Sequence, residues 1–220
     1  MKKIHRRGAA VLLAALSIGM TGCSSPPPDI PAPANSEPAP QGSPGEGVTN
    51  QQQLFGLACQ QLPQGGTPGS VARIQNAPVA TGLADNPYAK TFAIAVGKAG
   101  MADALNSAPA QTVFVPYEAA WTDLKQSLGP DAFNALLADP KHLSDILKYH
   151  VMDKRYDRQG LIAAHDVTTL QGGHLIVSDA GDTLTIKGAG RGTAHVLCGN
   201  IPAKNATVFF IDKVLSPSAP

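Results

Sequence analysis

The sequence predicts an α+β domain over residues 51–220, carried behind a secretion signal and a proline-rich tether. Three observations point there. Apolar residues recur at helical spacing from residue 51 to about residue 150. After His150 the pattern changes to short β-rich runs separated by Gly and Asp turns. Before residue 51 neither pattern exists, because the chain is first basic and apolar and then rich in proline. Helices followed by a strand meander argue for separate layers rather than alternating βαβ units.

The first seven residues carry Lys2, Lys3, Arg6 and Arg7 and no acid, and Ala9-Ala10-Val11-Leu12-Leu13-Ala14-Ala15-Leu16 follows. A basic start and about a dozen apolar residues make a signal peptide; a membrane-spanning helix needs about 20. Met20-Thr21-Gly22-Cys23 resembles the bacterial lipobox, with Met20 where Leu is usual. The resemblance implies that residues 1–22 are a lipoprotein signal peptide and that Cys23 receives diacylglycerol and becomes the new N-terminus. Two or three acyl chains anchor a protein stably, where one alone binds reversibly. The alternative is an ordinary signal peptide in which Cys23 is incidental.

Cleavage changes the charge. Four of the 17 basic residues leave with the signal and no acid does, so 13 face 16 and the formal net charge moves from +1 to −3. With pI ≈ 7.8 for the whole chain, no basic footing for a nucleic acid exists.

Residues 23–50 hold Pro26, Pro27, Pro28, Pro31, Pro33, Pro38, Pro40 and Pro44 with Ala, Ser and Gly between them. Such a stretch buries too little apolar surface to offset the entropy of ordering it. It is expected to be a disordered tether, reaching ~80 Å as polyproline II and ~30 Å as a coil.

The domain then reads in order. Residues 51–62 are predicted helical, with Leu54, Leu57, Ala58 and Leu62 on one face. Ser70 can cap a short helix over 70–75. Asn86-Pro87 opens a helix whose apolar stripe is Phe92, Ala95, Val96 and Ala99, and Gly100 ends it. A further turn or two of helix covers 101–106. Thr112-Val113-Phe114-Val115 is a fully apolar strand stopped by Pro116. Helices follow over 117–128, 131–138 and 141–149, separated by Gly129-Pro130 and Asp139-Pro140. Strands are predicted over 166–170, 174–178, 183–187, 194–197 and 207–211, with glycine turns between several of them.

At this point a family emerges. Thr112-Val113-Phe114-Val115-Pro116-Tyr117-Glu118-Ala119-Ala120-Trp121 resembles the first signature of the fasciclin (FAS1) domain, roughly T-V-F-A-P-T-N-x-A-F. Tyr149-His150-Val151 matches its Tyr-His motif, and 208–217 matches its second signature, V-x-V-I-D-x-V-L-x-P. The layout is also similar to mycobacterial surface lipoproteins and secreted antigens built on one such domain. The resemblance implies a wedge of two β-sheets with several helices, an adhesion or interaction role at the cell surface, and no cofactor. Tyr117-Glu118 stands where the family has Thr-Asn, and Trp121 where it has Phe.

Candidate sites are few. Cys59 and Cys198 remain once Cys23 is assigned to lipid. An exported location permits a disulfide between them; the alternative is two unpaired buried thiols. No C-x-x-C or zinc-spaced histidine pattern suggests a metal. No serine sits in a G-x-S-x-G elbow, and Gly188-Ala189-Gly190-Arg191-Gly192 reads as a hairpin loop rather than a phosphate cradle. His150 is read chiefly as a structural partner within the Tyr-His motif. The mixed charge run around Arg155 and Tyr156 reads as a solvated loop beside it. Tyr149, His150, Arg155 and Tyr156 together form the candidate contact surface. Asn205-Ala206-Thr207 is a formal glycosylation sequon.

The expectation is therefore a non-catalytic, monomeric, lipid-anchored domain on the outer side of the cell membrane, partly released. Its partners would be the membrane through Cys23 and either a protein, such as a host receptor or matrix, or a cell-wall component. The alternatives are a structural lipoprotein binding wall polymer and a small secreted hydrolase.

Overall fold

The computed structural model describes residues 47–190 and 192–217; the signal peptide, Cys23 and the tether up to residue 46 lie outside them. Among the described residues the helices are α1 Val71–Gln75, α2 Val79–Leu83, α3 Lys90–Lys98, α4 Ala102–Ser107, α5 Glu118–Leu128, α6 Pro130–Ala138, α7 Pro140–Tyr149 and α8 Arg158–Ala164. The strands are β1 Gln111–Pro116, β2 Val151–Met152, β3 Asp166–Thr168, β4 His174–Asp179, β5 Leu184–Lys187, β6 Thr193–Pro202 and β7 Ala206–Ile211.

The strands run in the order β2-β1-β7-β6-β5-β4-β3. β1 and β7 are parallel, with Thr112 opposite Thr207 and Phe114 opposite Phe209; the other pairings are antiparallel. The ten-residue β6 pairs with β5 near its start and with β7 along its length, so two sheets share it. Its register with β7 shifts between Val196 and Cys198 and again between Cys198 and Ile201. Such irregularities bend a strand and raise its twist. The far edges meet again: the Leu170 amide, just after β3, donates to the Val151 carbonyl of β2 at 2.7 Å. This is the wedge that the sequence motifs imply.

Both faces of β1 and β7 are covered, which explains why these strands read as unbroken apolar runs. Val113, Val115, Val208 and Phe210 face the helices, against Phe92, Val96, Leu105, Trp121, Phe133, Leu143 and Leu147. Phe114, Phe209 and Ile211 point the other way, into Val167, Leu175, Val177, Leu184 and Ile186. Period-two alternation thus divides one pair of strands between two cores.

Helix boundaries follow their caps. Asp139 accepts from the Lys141 and His142 amides at 3.0 and 3.1 Å and starts α7, with Pro140 in its first turn. Ser70 starts α1. Helix α3 begins later than the Asn86-Pro87 signal predicts and has Ala89 at its N-cap, which offers no side-chain acceptor. Glu118 of α5 supplies it across 27 residues: one carboxylate oxygen accepts the Thr91 amide at 2.6 Å and the other the Thr91 hydroxyl at 2.9 Å.

Residues 51–62 are not one helix. Two 3₁₀ turns, Gln51–Gln53 and Leu57–Gln61, flank an extended piece in which Phe55 bridges Gly199. Gly56, at φ 100°, breaks the helix, and Leu57, expected on the apolar face, is 91% exposed. Contacts with the domain also begin earlier than composition indicates, at Gly47. Helices α2 and α8 and strand β2 go unread in the sequence. β6 runs five residues past its predicted end, to Pro202.

Candidate functional site

Cys59 and Cys198 are joined as a disulfide, Cα to Cα 4.9 Å, closing a separation of 139 residues. The bond fixes the 3₁₀ turn Leu57–Gln61 to β6 where that strand is irregular. A loop this long is worth about 5 kcal/mol at most in the chain-entropy model.

Tyr149 and His150 lie where α7 meets β2, and both are fully buried. They therefore offer no side chain to a partner, which corrects their place in the contact surface expected from the sequence. The Tyr149 hydroxyl donates to the His174 carbonyl at 2.9 Å and accepts the Ala189 amide at 2.8 Å. Its ring lies against Gly173 and Gly188, where a side chain on either glycine would run into it. The Leu215 amide donates to His150 Nε2 at 2.9 Å, so Nδ1 carries the proton and donates to the Ile146 carbonyl, also at 2.9 Å. Burial lowers the His150 pKa to about 4, partly offset by the Ile146 bond, and the imidazole is neutral at pH 7.

Arg155, expected in the same surface, is largely engaged within the fold. It stands in a run of charges, yet the side chain is half-buried and makes no ion pair among the described residues. Nε donates to the Gly47 carbonyl at 3.1 Å and to the Thr207 hydroxyl at 3.0 Å. The terminal nitrogens donate to the carbonyls of Ala203 at 2.8 Å, Ala206 at 2.7 Å and Lys204 at 3.4 Å. Burial pushes its pKa down, but a guanidinium stays charged in proteins. Five oxygens on one planar cation tie the start of the domain to the β6–β7 turn.

What remains exposed beside these groups is smaller. Asp153 and Lys154 are exposed and Tyr156 is half-buried, with Lys154 Nζ 4.9 Å above the Tyr156 ring. The Tyr156 amide is held by the Thr112 hydroxyl at 2.8 Å, so this patch sits firmly on the edge of β1.

The other histidines do not assemble. His174 of β4 pairs with Asp166 of β3 at 2.8 Å, and His195 of β6 pairs with Asp212, just past β7, at 3.0 Å. His165 contacts the Val177 carbonyl at 2.9 Å. No imidazole has a serine or cysteine hydrogen bond among the described residues. Nor is there a cluster of three or more His, Cys, Asp or Glu able to hold a metal among them.

Asn205 is unsuited to a glycan. It is 9% exposed, its amide donates to the carbonyls of Leu105, Asn106 and Ala108, and its oxygen accepts the Val79 amide. The sequon is a structural staple between α2, α4 and β7. Asn200, at φ 59° in β6, plays a similar part: it accepts from Arg158 at 2.8 Å and donates to the Gln53 carbonyl at 3.1 Å. Its position past the predicted end of the strand, after Gly199, leaves it without a sequence signal.

The mixed two-sheet wedge, its parallel β1–β7 pair and its buried Tyr-His pair define the class. The chain belongs to the fasciclin domain family, whose pattern matches residues 87–217. It is 36% identical over 227 residues to the cell surface glycolipoprotein MPB83 of Mycobacterium bovis, covering 96% of each chain. It is 32% identical over 157 residues to the immunogenic protein MPB70 of the same species, covering 69% of this chain and 75% of that one. Among solved structures it is similar in fold to a FAS1 domain pair from the insect cell adhesion molecule fasciclin I. That match has a TM-score of 0.56 and 19% identity, over 64% of this chain and 51% of that one.

Proposed function

We propose that this protein is a lipid-anchored surface domain that works by contact with another molecule and not by catalysis. The observation that carries the reading is the likeness, over 96% of both chains, to a protein named a cell surface glycolipoprotein. The Met20-Thr21-Gly22-Cys23 motif supplies the anchor, with Cys23 as the acylated residue. Residues 23–50 act as the spacer between lipid and domain. The Tyr-His pair and Arg155 support the domain from within, and the side chains available to a partner nearby are Asp153, Lys154 and Tyr156.

The chemistry of the histidines supports a binding role. A hydrolase needs a nucleophile within hydrogen-bond reach of a base. Among the described residues the buried imidazole of His150 is spent on two backbone groups, the exposed His174 and His195 pair with carboxylates, and the exposed His165 contacts the Val177 carbonyl.

Intact cells displaying the protein, probed with host matrix, receptor fragments and purified wall, test the partner class. Capture of a protein, weakened by the double substitution Lys154→Ala and Tyr156→Ala, is expected. Capture of wall polymer alone would replace this reading with an envelope-organising one.

A further inference from the structure

The tether does not simply run into the domain; residues 47–59 are a strap laid along β6 and fastened at intervals. The Gly47 carbonyl accepts from Arg155 Nε and the Thr207 hydroxyl. Asn50 caps the first 3₁₀ turn, and the Gln53 carbonyl receives the Asn200 side chain. Phe55 exchanges two backbone hydrogen bonds with Gly199, at 2.9 and 3.4 Å. Its ring packs edge-on against Phe209 at 6.2 Å, with the Arg158 guanidinium 4.7 Å from its centre. Gly199 has no side chain because the Phe55 ring fills that space. The strap ends in the covalent bond from Cys59 to Cys198.

We propose that this strap is a mechanical clamp that takes tension from the tether and delivers it to β6, sparing residues 60–197 within the disulfide loop. The proposal rests on the anchored reading above, since tension reaches residue 47 only if the chain before it is held. Two facts of connectivity argue for it. The bond from Cys59 to Cys198 encloses residues 60–197, which hold every helix and all strands before β6. A pull between the two ends of the chain therefore bypasses that loop. The strap is also the weaker partner outside the bond. It is held by one isolated bridge and scattered side-chain contacts, whereas β7 is paired on both sides, with β1 and β6. It should peel first and stop at Cys59.

The test is single-molecule stretching of residues 24–220, the mature chain without the acylated Cys23, with a handle at each end. The oxidised protein is expected to give a first step of up to about 40 Å as the strap peels, and a total release from the fold on the order of 100 Å. Reduced, it should release on the order of 600 Å. Arg155→Gln should lower the force of the first step without changing the total. If that variant does not fold, Phe55→Ala carries the same comparison, and the oxidised-to-reduced comparison needs no variant. The clamp is overturned if the oxidised protein lengthens as far as the reduced one. It is equally overturned if no separate first step precedes release of β7, or if the substitutions leave that step's force unchanged. These outcomes read the domain alone, so a failure of lipid anchoring shows separately, in cell fractionation.

Discussion

The imidazole of His150 receives the amide hydrogen of Leu215 across 65 residues, at 2.9 Å, inside a site with no access to water. That bond ties the end of α7 to Leu215, the last buried apolar residue among the described ones. Its acceptor exists only while the ring is neutral.

Stability should therefore depend on pH. The folded-state pKa of about 4 lies below the ordinary 6.5. Between those values the unfolded chain binds a proton that the folded chain refuses. The contribution is complete above about pH 6.5 and is lost as pH falls toward 4, with a span of ~3 kcal/mol. Urea unfolding at pH 7 and pH 4.5 should show this loss in the wild type. His150→Ala should be less stable at pH 7 by about 2–4 kcal/mol and should flatten the difference between the two pH values. An unchanged pH difference in the variant would separate the effect from His150.

Arg155 should be poorly replaced by lysine. One ammonium cannot satisfy oxygens spread over Gly47, Ala203, Ala206, Lys204 and Thr207. Arg155→Lys and Arg155→Gln are each expected to cost about 2–4 kcal/mol, by leaving buried carbonyls unpaired. A surface role alone would keep the loss within about 0.5 kcal/mol. Denaturant midpoints at neutral pH decide between these.

Glu118 should behave as the cap of a helix to which it does not belong. Removing its carboxylate in Glu118→Ala exposes the unpaired start of α3 and should cost about 1–2 kcal/mol. Amide exchange should quicken at Thr91 and in the first turn of α3. Exchange quickened only in α5 would show that Glu118 serves its own helix.

Much of the fold is legible in the sequence because its signals are local. The apolar run of β1, the cap at Asp139, the prolines opening α6 and α7 and the glycine turns of the meander all fix their elements from neighbouring residues. What fails is non-local. Residues 51–62 have helical spacing, but the bridge to Gly199 and the bond to Cys198 hold them extended at Phe55 and tightly wound elsewhere. Helix α8 hides behind charges, although Asp157 caps it through the Gly160 amide at 2.7 Å. The candidate contact surface is half legible for the same reason. Tyr-His and the charge run are close in sequence and in space, but burial depends on chain segments far away. Leu215 takes His150, and Gly47 with the β6–β7 turn takes Arg155. Charge alone does not distinguish a solvated arginine from a clamp.

The anchor at Cys23 is the claim on which the surface reading and the strap both depend. Its most direct test is metabolic labelling with a fatty-acid analogue in the native host, followed by membrane fractionation of wild type and Cys23→Ala. The account predicts label on the wild type in the membrane fraction, and an unlabelled variant released to the medium. A labelled or membrane-bound Cys23→Ala protein would contradict it.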